Sequence, residues 1–571
     1  MHVHHFSPAY QEVKIGVGVA LAHGCQADLL GCSIDLSANA WAGMEVAARA
    51  TATVRDCFFT GSLSGGITSA NRGTCVTAER CTFGDNAGSG AAAVKMGRLI
   101  AKNCKSSGNK GYGFSAQTQG ALHLTDCSSC DDFLGVMVKG GGSLLLTTFL
   151  SKAARWMGSG LFLGGTMVLQ KCHAEGSKDS GLHVSGSGST LEASDCRLVQ
   201  NGQAGALAIG GGHLVARGCK SSQNKSAGYL AQDAGSHARL IDCSSIHDLK
   251  SGCSAQGHAR LHADHVHVEA AMQQCFFVVA GGTMVLRNCS AEKAQELSGV
   301  IANGVGSRLE AYSCTFSRSQ QSGVRVCKGA SALCLNCKSL DNAAVGYNVN
   351  GEGSMLEVSN SSSERDETGC KVWAGGKVTA DHVQVRSAKF EGFGVQSGSS
   401  MVLTKCSVER SGTGAFVAGS RQKNKQPVVN SHLNAKNCEY LDCGTGMCAL
   451  GAVLVASACS TVGSTGGGYR AEGVGALVTL TACTSSGDKF GCVAKRNARL
   501  TAHRLCVEGS VVGDSEASHG GIVELLGDRV ESSKAQSVHA KAPVEAPQLL
   551  EKQVPPVASS SRTVRAMQRH A

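Results

Sequence analysis

Twenty-eight cysteines in 571 residues carry the most obvious chemical potential in this chain. Three chemistries are open to them: disulfide cross-links, metal clusters and reactive thiolates. A zinc-type cluster needs ligands converging on one point, usually from paired Cys-x-x-Cys knuckles. Cys127 and Cys130 form such a pair, with no second pair in register beside it. The best metal candidate is His262, Asp264, His265 and His267, followed by Glu269. Asp131 and Asp132 are adjacent carboxylates of the kind acid–base hydrolysis uses, but they sit in a turn beside Cys130 with no accompanying His or Arg motif. A solvated turn is the expectation for them. Trp41, Trp156 and Trp373 are the tryptophans available for stacking on a sugar. No Ser-His-Asp signature, P-loop or dinucleotide fingerprint stands in the strand–helix context it requires.

The elements that must position these residues emerge from one recurrent pattern, apolar-x-apolar-x-x-Cys. Its anchor falls at Cys32, Cys57, Cys81, Cys104, Cys127, Phe149, Cys172, Cys196, Cys219, Cys243 and Val266. It continues at Cys289, Cys314, Cys337, Ser361, Val383, Cys406, Cys438, Cys459, Cys483 and Leu505. Spacings run from 21 to 25 residues, apart from one of 32. Before each anchor two apolar residues alternate, as Leu122 and Leu124 do before Cys127, which is a short period-two strand. After it come a Ser/Gly/Asn turn and a second strand of the form Gly-apolar-x-apolar, such as Gly135–Val138 and Gly323–Val326. Three short strands per coil and no helical period predict a three-sided parallel prism of about 21 coils. Leucine-rich repeats have a similar period, but they need leucines throughout, and residues 459–483 hold only Leu477 and Leu480 with glycine at their middle.

On this repeat, over residues 16–510, the chain resembles the right-handed parallel β-helix superfamily of pectate-lyase type, and in particular its generic intracellular β-helix repeats. The resemblance implies an all-β, right-handed solenoid whose inward ladder, often Asn, follows the bend between the second and third strands. The Cys ladder occupies that place here. The residue before the anchor is Asn, Asp or Gly in 11 of 21 coils, the types that tolerate a left-handed backbone at a tight bend. Repeated Asp-Cys pairs are then turn geometry, and the ladder thiols are expected to be inward, reduced and structural. His265 falls at the bend and His267 beyond it, so the metal candidate is expected to splay apart. Enzymes of the superfamily imply clustered Asp for calcium with an Arg or Lys base, or neighbouring hydrolytic carboxylates; no such cluster is visible.

Coils stacked at ~4.8 Å make a rod roughly 100 Å long. Domain expectations are an N-terminal segment 1–15, a β-helix 16–512, and a low-complexity, disordered tail 513–571 holding four of six prolines. Between Cys406 and Cys438 a basic loop with Arg421, Lys423, Lys425 and Pro427 is expected to protrude and to be dispensable. Little sequence precedes the first coil, so that coil is expected to meet a partner or a segment beyond the given chain. The start, MHVHHFSPAYQEVKIG, lacks an apolar leader, which points to the cytoplasm and to thiols. No apolar run is long enough for a membrane span. A net charge of +10 on so large a surface is no nucleic-acid signature by itself.

The x residue of Gly-apolar-x-apolar should point outward. In eight consecutive coils it reads Met137, Phe162, His183, Leu207, Leu230, Ser254, Phe277, Ile301, and later Arg325, Asn348, Lys371 and Gln396. An exposed apolar stripe marks an interaction site. The expectation is a non-catalytic scaffold that binds a protein, or less readily a glycan, through Met137, Phe162, Leu207, Leu230, Phe277 and Ile301. It calls for no cofactor. The alternative is a pectate-lyase-like carbohydrate-active enzyme.

Overall fold

The computed structural model describes residues 2–4, 17–36, 41–419 and 431–526. The basic loop around Arg421–Pro427 and the tail beyond Leu526 lie outside the described residues. The described chain is a right-handed parallel β-solenoid of about 22 turns, without helix. A typical coil gives a strand of four to six residues to sheet 1, one of five to sheet 2 and one of three to sheet 3. Ala42–Val46, Thr51–Arg55 and Phe58–Thr60 are one such set. In two coils the latter two strands run together, as Ala121–Cys130 and Ser143–Lys152. Sheet 1 is a ladder of 22 strands from Val17–Leu21 to Gly513–Ser518. The ladder therefore continues one coil past the last anchor, with Ile522–Leu526 pairing in sheet 2. At the other end His2–His4 pairs antiparallel with Gln26–Leu30 and so covers a sheet edge that would otherwise expose free N–H and C=O groups.

The interior is filled as the alternation demands. In sheet 2, Leu122 and Leu124, Leu309 and Ala311 point inward and are 3% exposed or less. The anchor thiols stack between sheets 2 and 3: Cys81 N–H donates to Cys104 Sγ and Cys104 N–H to Cys127 Sγ, both at 3.4 Å. Each thiol in turn donates to the carbonyl two residues back, as Cys104 does to Lys102 at 3.4 Å. None of the 28 cysteines is joined in a disulfide, and 24 of them are buried. Burial pushes the Cys57 thiol up to about 11 and Cys275 to about 12.

The bend before the anchor is left-handed in every coil, with φ between 49° and 62°. This includes Thr148, Lys171 and Lys405, which have no intrinsic taste for that region. The neighbouring coils impose it, because the bend residue's N–H continues the ladder: Asp56 to Glu79 O and Arg80 to Lys102 O, both 3.0 Å.

A second inward ladder, not anticipated from the sequence, lies five residues after the anchor at the corner leading to sheet 1. Asn86 Nδ2 donates to Asn109 Oδ1 at 2.9 Å, and Asn109 Nδ2 to Asp132 Oδ1 at 2.8 Å. The run Asn201, Asn224, Asp248 repeats the arrangement, and Asn342–Asp366 and Ser464–Asp488 shorten it. Asp132 is thus fully buried, not solvated as the turn reading had it. The resemblance's inward Asn ladder exists, at this corner, while the thiols occupy the bend.

Candidate functional site

The outward stripe is real as a column but differs in two ways from expectation. Met137, His183, Leu207, Leu230, Ser254, Phe277, Ile301 and Arg325 stand in register on successive sheet 1 strands. In the coil between Met137 and His183, however, the column residue is Gly160, and Phe162 lies two positions later. The cause is Gly158-Ser-Gly160: the strand's leading glycine is Gly158, whose added Cβ would sit 2.5 Å from Gly181 O. Phe162 folds back over the gap, its ring 2.7 Å from where a Gly160 Cβ would stand. Gln396 slips likewise, Gly394 taking its column position.

The second difference is burial. Met137, Leu207, Leu230 and Ile301 are 2–6% exposed, and Phe162 and Phe277 are half-buried. The covering residues stand three positions before the column and share its outer face. Leu207 and Leu230 pack with Ala204, Ala227 and Ile209; Met137 packs with Leu134, Met157, Tyr112 and Phe162. Both clusters are separate from the solenoid interior.

The second cluster stays open on one side as a groove of about 350 Å³, lined by Tyr112, Leu134, Met137, Lys139, Trp156, Phe162, Leu163, Ser185 and Gly186. Aromatic rings run along it. Phe133 meets Trp156 at 5.5 Å, Trp156 stacks on Phe162 at 6.2 Å with planes 21° apart, and Phe162 meets His183 at 5.4 Å. Trp156 is oriented by its indole N–H, which donates to Asp179 Oδ2 at 3.1 Å, and Asp179 also accepts from Ser180. Burial holds the His183 imidazole below its usual range against the pull of Asp179. Phe133, Trp156 and Leu163 remain 37–61% exposed at the rim. Sequence reasoning placed Met137 and Phe162 here and named Trp156 only as a tryptophan available to a sugar; it missed Tyr112 and Leu134, which begin their strands.

The other candidates disperse. His265 sits at the bend at φ 52° beside Asp264, 3.1 Å away, while His267 bonds Ser290 on sheet 3 at 2.7 Å. His262 faces out from sheet 2 next to His237, with ring centroids 5.0 Å apart. Among the described residues no three of His, Cys, Asp or Glu gather as a metal site. Asp131 accepts from the Cys130 thiol at 3.1 Å, whereas Asp132 closes the corner ladder, so the two carboxylates serve different surroundings. Burial raises the Asp132 carboxyl above its usual range.

The model of the family described as "Right handed beta helix region" matches residues 17–143, 134–291 and 298–434. The chain belongs to that family. No curated protein matches it. Similar solved structures include the catalytic unit of a thermostable GH87 α-1,3-glucanase from Streptomyces thermodiastaticus strain HF3-3, at 8% identity and a TM-score of 0.33. That alignment covers 65% of this chain and 64% of the glucanase unit. They also include the Siphovirus 9NA tailspike receptor binding domain (10% identity, 90% and 78% covered, TM-score 0.22). A third is the PL6 family alginate lyase AlyGC, at 8% identity, with 88% and 100% covered and a TM-score of 0.21. At such values the likeness carries neither substrate nor chemistry to this chain.

Proposed function

We propose that this protein is a non-catalytic β-helix scaffold that captures a partner protein by seating an apolar side chain in the groove between Tyr112 and Phe162. The observation that carries this is an open apolar groove on the outside of a solenoid whose own interior is already full. Pockets of this kind, aromatic at the centre with polar groups at the edge, are where interface energy concentrates. Lys139 on the groove and Lys178 beside the Trp156 turn favour an acidic flank on the partner segment. The Leu207–Leu230 cluster is sealed by its own neighbours and extends the face without opening it. Cysteines outside any disulfide fit a reducing compartment such as the cytoplasm.

Selection from a displayed peptide library against the full chain tests this. The expected result is enrichment of acidic peptides with a Leu, Met or aromatic anchor. Trp156→Ala with Phe162→Ser should weaken the best peptide by about 2 kcal/mol, roughly thirtyfold. Enrichment that ignores the double variant would overturn the assignment of the groove. The flat Trp156–Phe162 surface favours a glycan as second reading; retention of an oligosaccharide, lost in the same variant, would establish it instead. Unsaturated products from acidic polysaccharide with calcium would show an enzyme.

A further inference from the structure

The outward face of sheet 2 carries a feature that the groove does not use. Strand His237–Ile241 pairs in register with Arg260–Asp264, placing His237 opposite Arg260 and Arg239 opposite His262. Ala238, Leu240, Leu261 and Ala263 between them are buried, so these four side chains point outward. Strand separation is ~4.8 Å and alternate residues are ~6.6 Å apart. The four therefore stand at the corners of a small rectangle, arginines on one diagonal and histidines on the other. We propose that His237, Arg239, Arg260 and His262 form an oxyanion site that takes a phosphate group, free in solution or carried on a phosphoserine side chain.

Three observations support the site. First, Arg239 and Arg260 are diagonal neighbours within reach of one another on adjacent strands, and two guanidinium charges so placed repel, so fold stability gives no reason for this grouping. Several outward arginines elsewhere on the solenoid are matched: Arg80 with Asp56 at 2.7 Å, Arg365 with Asp341 at 2.6 Å, Arg499 with Glu524 at 2.7 Å. Among the described residues no carboxylate lies within ion-pair distance of Arg239 or Arg260, nor of Arg217 and Arg287 on the flanking coils. The nearby acids are occupied: Asp264 by His265, and Glu310 by Arg308 and the Tyr312 hydroxyl.

Second, the imidazoles are packed into place. His213, His237 and His262 meet edge to face at 6.0 and 5.0 Å, and His237 Nε2 is shielded from water without a hydrogen-bond partner. Third, the surroundings oppose protonation. Burial, then His262, His213, Arg260 and Arg239, lower His237; burial, then Arg287, Arg239 and Arg260, lower His262 against Glu310. A bound dianion reverses that electrostatic cost, so anion and proton uptake must favour one another.

Calorimetric titration of the full chain with sulfate, inorganic phosphate and a phosphoserine peptide, at matched ionic strength in chloride, tests the proposal. Wild type should bind saturably at one site, and Arg239→Gln with Arg260→Gln should weaken binding at least tenfold. The double variant's melting temperature without anion should stay level or rise, since repulsion is relieved; this separates lost binding from lost folding. Sulfate keeps its double charge between about pH 6 and 8, so its weakening across that range would report the imidazoles themselves. Tighter binding of the peptide than of free phosphate assigns a protein source; equal binding assigns the free ion. The Trp156→Ala, Phe162→Ser protein should bind sulfate as wild type does, which keeps this site independent of the groove. Unchanged binding in the arginine double variant, or a response no different from chloride, overturns the proposal.

Discussion

Asp248 shows how single residues hold this solenoid together. Its Oδ1 accepts the backbone N–H and the Nδ2 of Asn224, both at 2.8 Å, and its Oδ2 accepts Ser245 Oγ at 2.5 Å and Ser221 Oγ at 3.2 Å. An amide rung hands its own N–H groups to the next coil; a carboxylate has none to hand on. Asp132, Asp248 and Asp366 accordingly end their runs, with Ala154, Ala271 and Ala388 in the next coil's place. Asp248→Ala strands several buried donors and should cost about 3 kcal/mol or more. Asp248→Asn keeps the Oδ1 acceptor and should cost about 1 kcal/mol or less. Burial raises the Asp248 carboxyl despite its hydrogen bonds, so the native state holds that proton more tightly than the unfolded chain. Its stabilisation is complete below the ordinary carboxylate range of about 4 and is lost as pH rises through the raised value. Urea midpoints of wild type should therefore gain on those of Asp248→Asn as pH falls; a gap that widens the other way would contradict this. The bend residues were legible because Asn, Asp and Gly advertise a left-handed backbone. This corner ladder was not, although its signal is plain once residues five after each anchor are aligned: Asn86, Asn109, Asp132, Asn201, Asn224 and Asp248.

At the scale of the strand, sheet 1 depends on its leading glycines. A Cβ on Gly346 would lie 2.6 Å from Gly369 O, 2.6 Å from Asp366 Oδ2 and 2.5 Å from Ser363 Oγ. None of these groups can retreat, because the oxygens belong to the corner ladder and to the next coil's backbone. Gly346→Ala should therefore cost at least 2–3 kcal/mol, in the range of overpacked cores, and be read as a lower urea midpoint. Gly353→Ala is the contrast at a surface turn, where a φ of 74° strains any side chain but the nearest heavy atom is 3.5 Å away; about 1 kcal/mol is expected there. Equal losses at both positions would mean that the column tolerates a methyl group. The same glycines explain where strand register was misread. Gly158-Ser-Gly160-Leu offers two leading glycines, and a rule built on Gly-apolar-x-apolar selects the wrong one. The exposure of the stripe was misjudged for a related reason. Residues before the glycine, such as Leu134 and Ala204, fold onto the outer face, which strict alternation does not foresee.

Over the whole molecule, stability is a sum of contacts between adjacent coils, because no coil covers its own apolar side chains. Such an array opens from its ends, and the thiols are a built-in record of that opening. The anchors lie between sheets 2 and 3 from Cys32 to Cys483, at 6% exposure or less in every coil that has one. Four other cysteines, Cys75, Cys130, Cys448 and Cys506, are half-buried. In the native protein no more than these four should react quickly with a thiol reagent, and the remaining 24 only as coils separate. Mass-resolved labelling should then find Cys32 and Cys483 modified before Cys219, Cys243 and Cys289, which have eight or more coils on either side. Stacking at ~4.8 Å also leaves neighbouring anchors within the Cα range of a disulfide, so the labelling must be run under reductant-free but oxygen-poor conditions. Rapid reaction of most anchors in the native state would place the ladder outside the core. Uniform slow labelling from end to end would mean that the coils unfold as one cooperative unit, not as an array that frays.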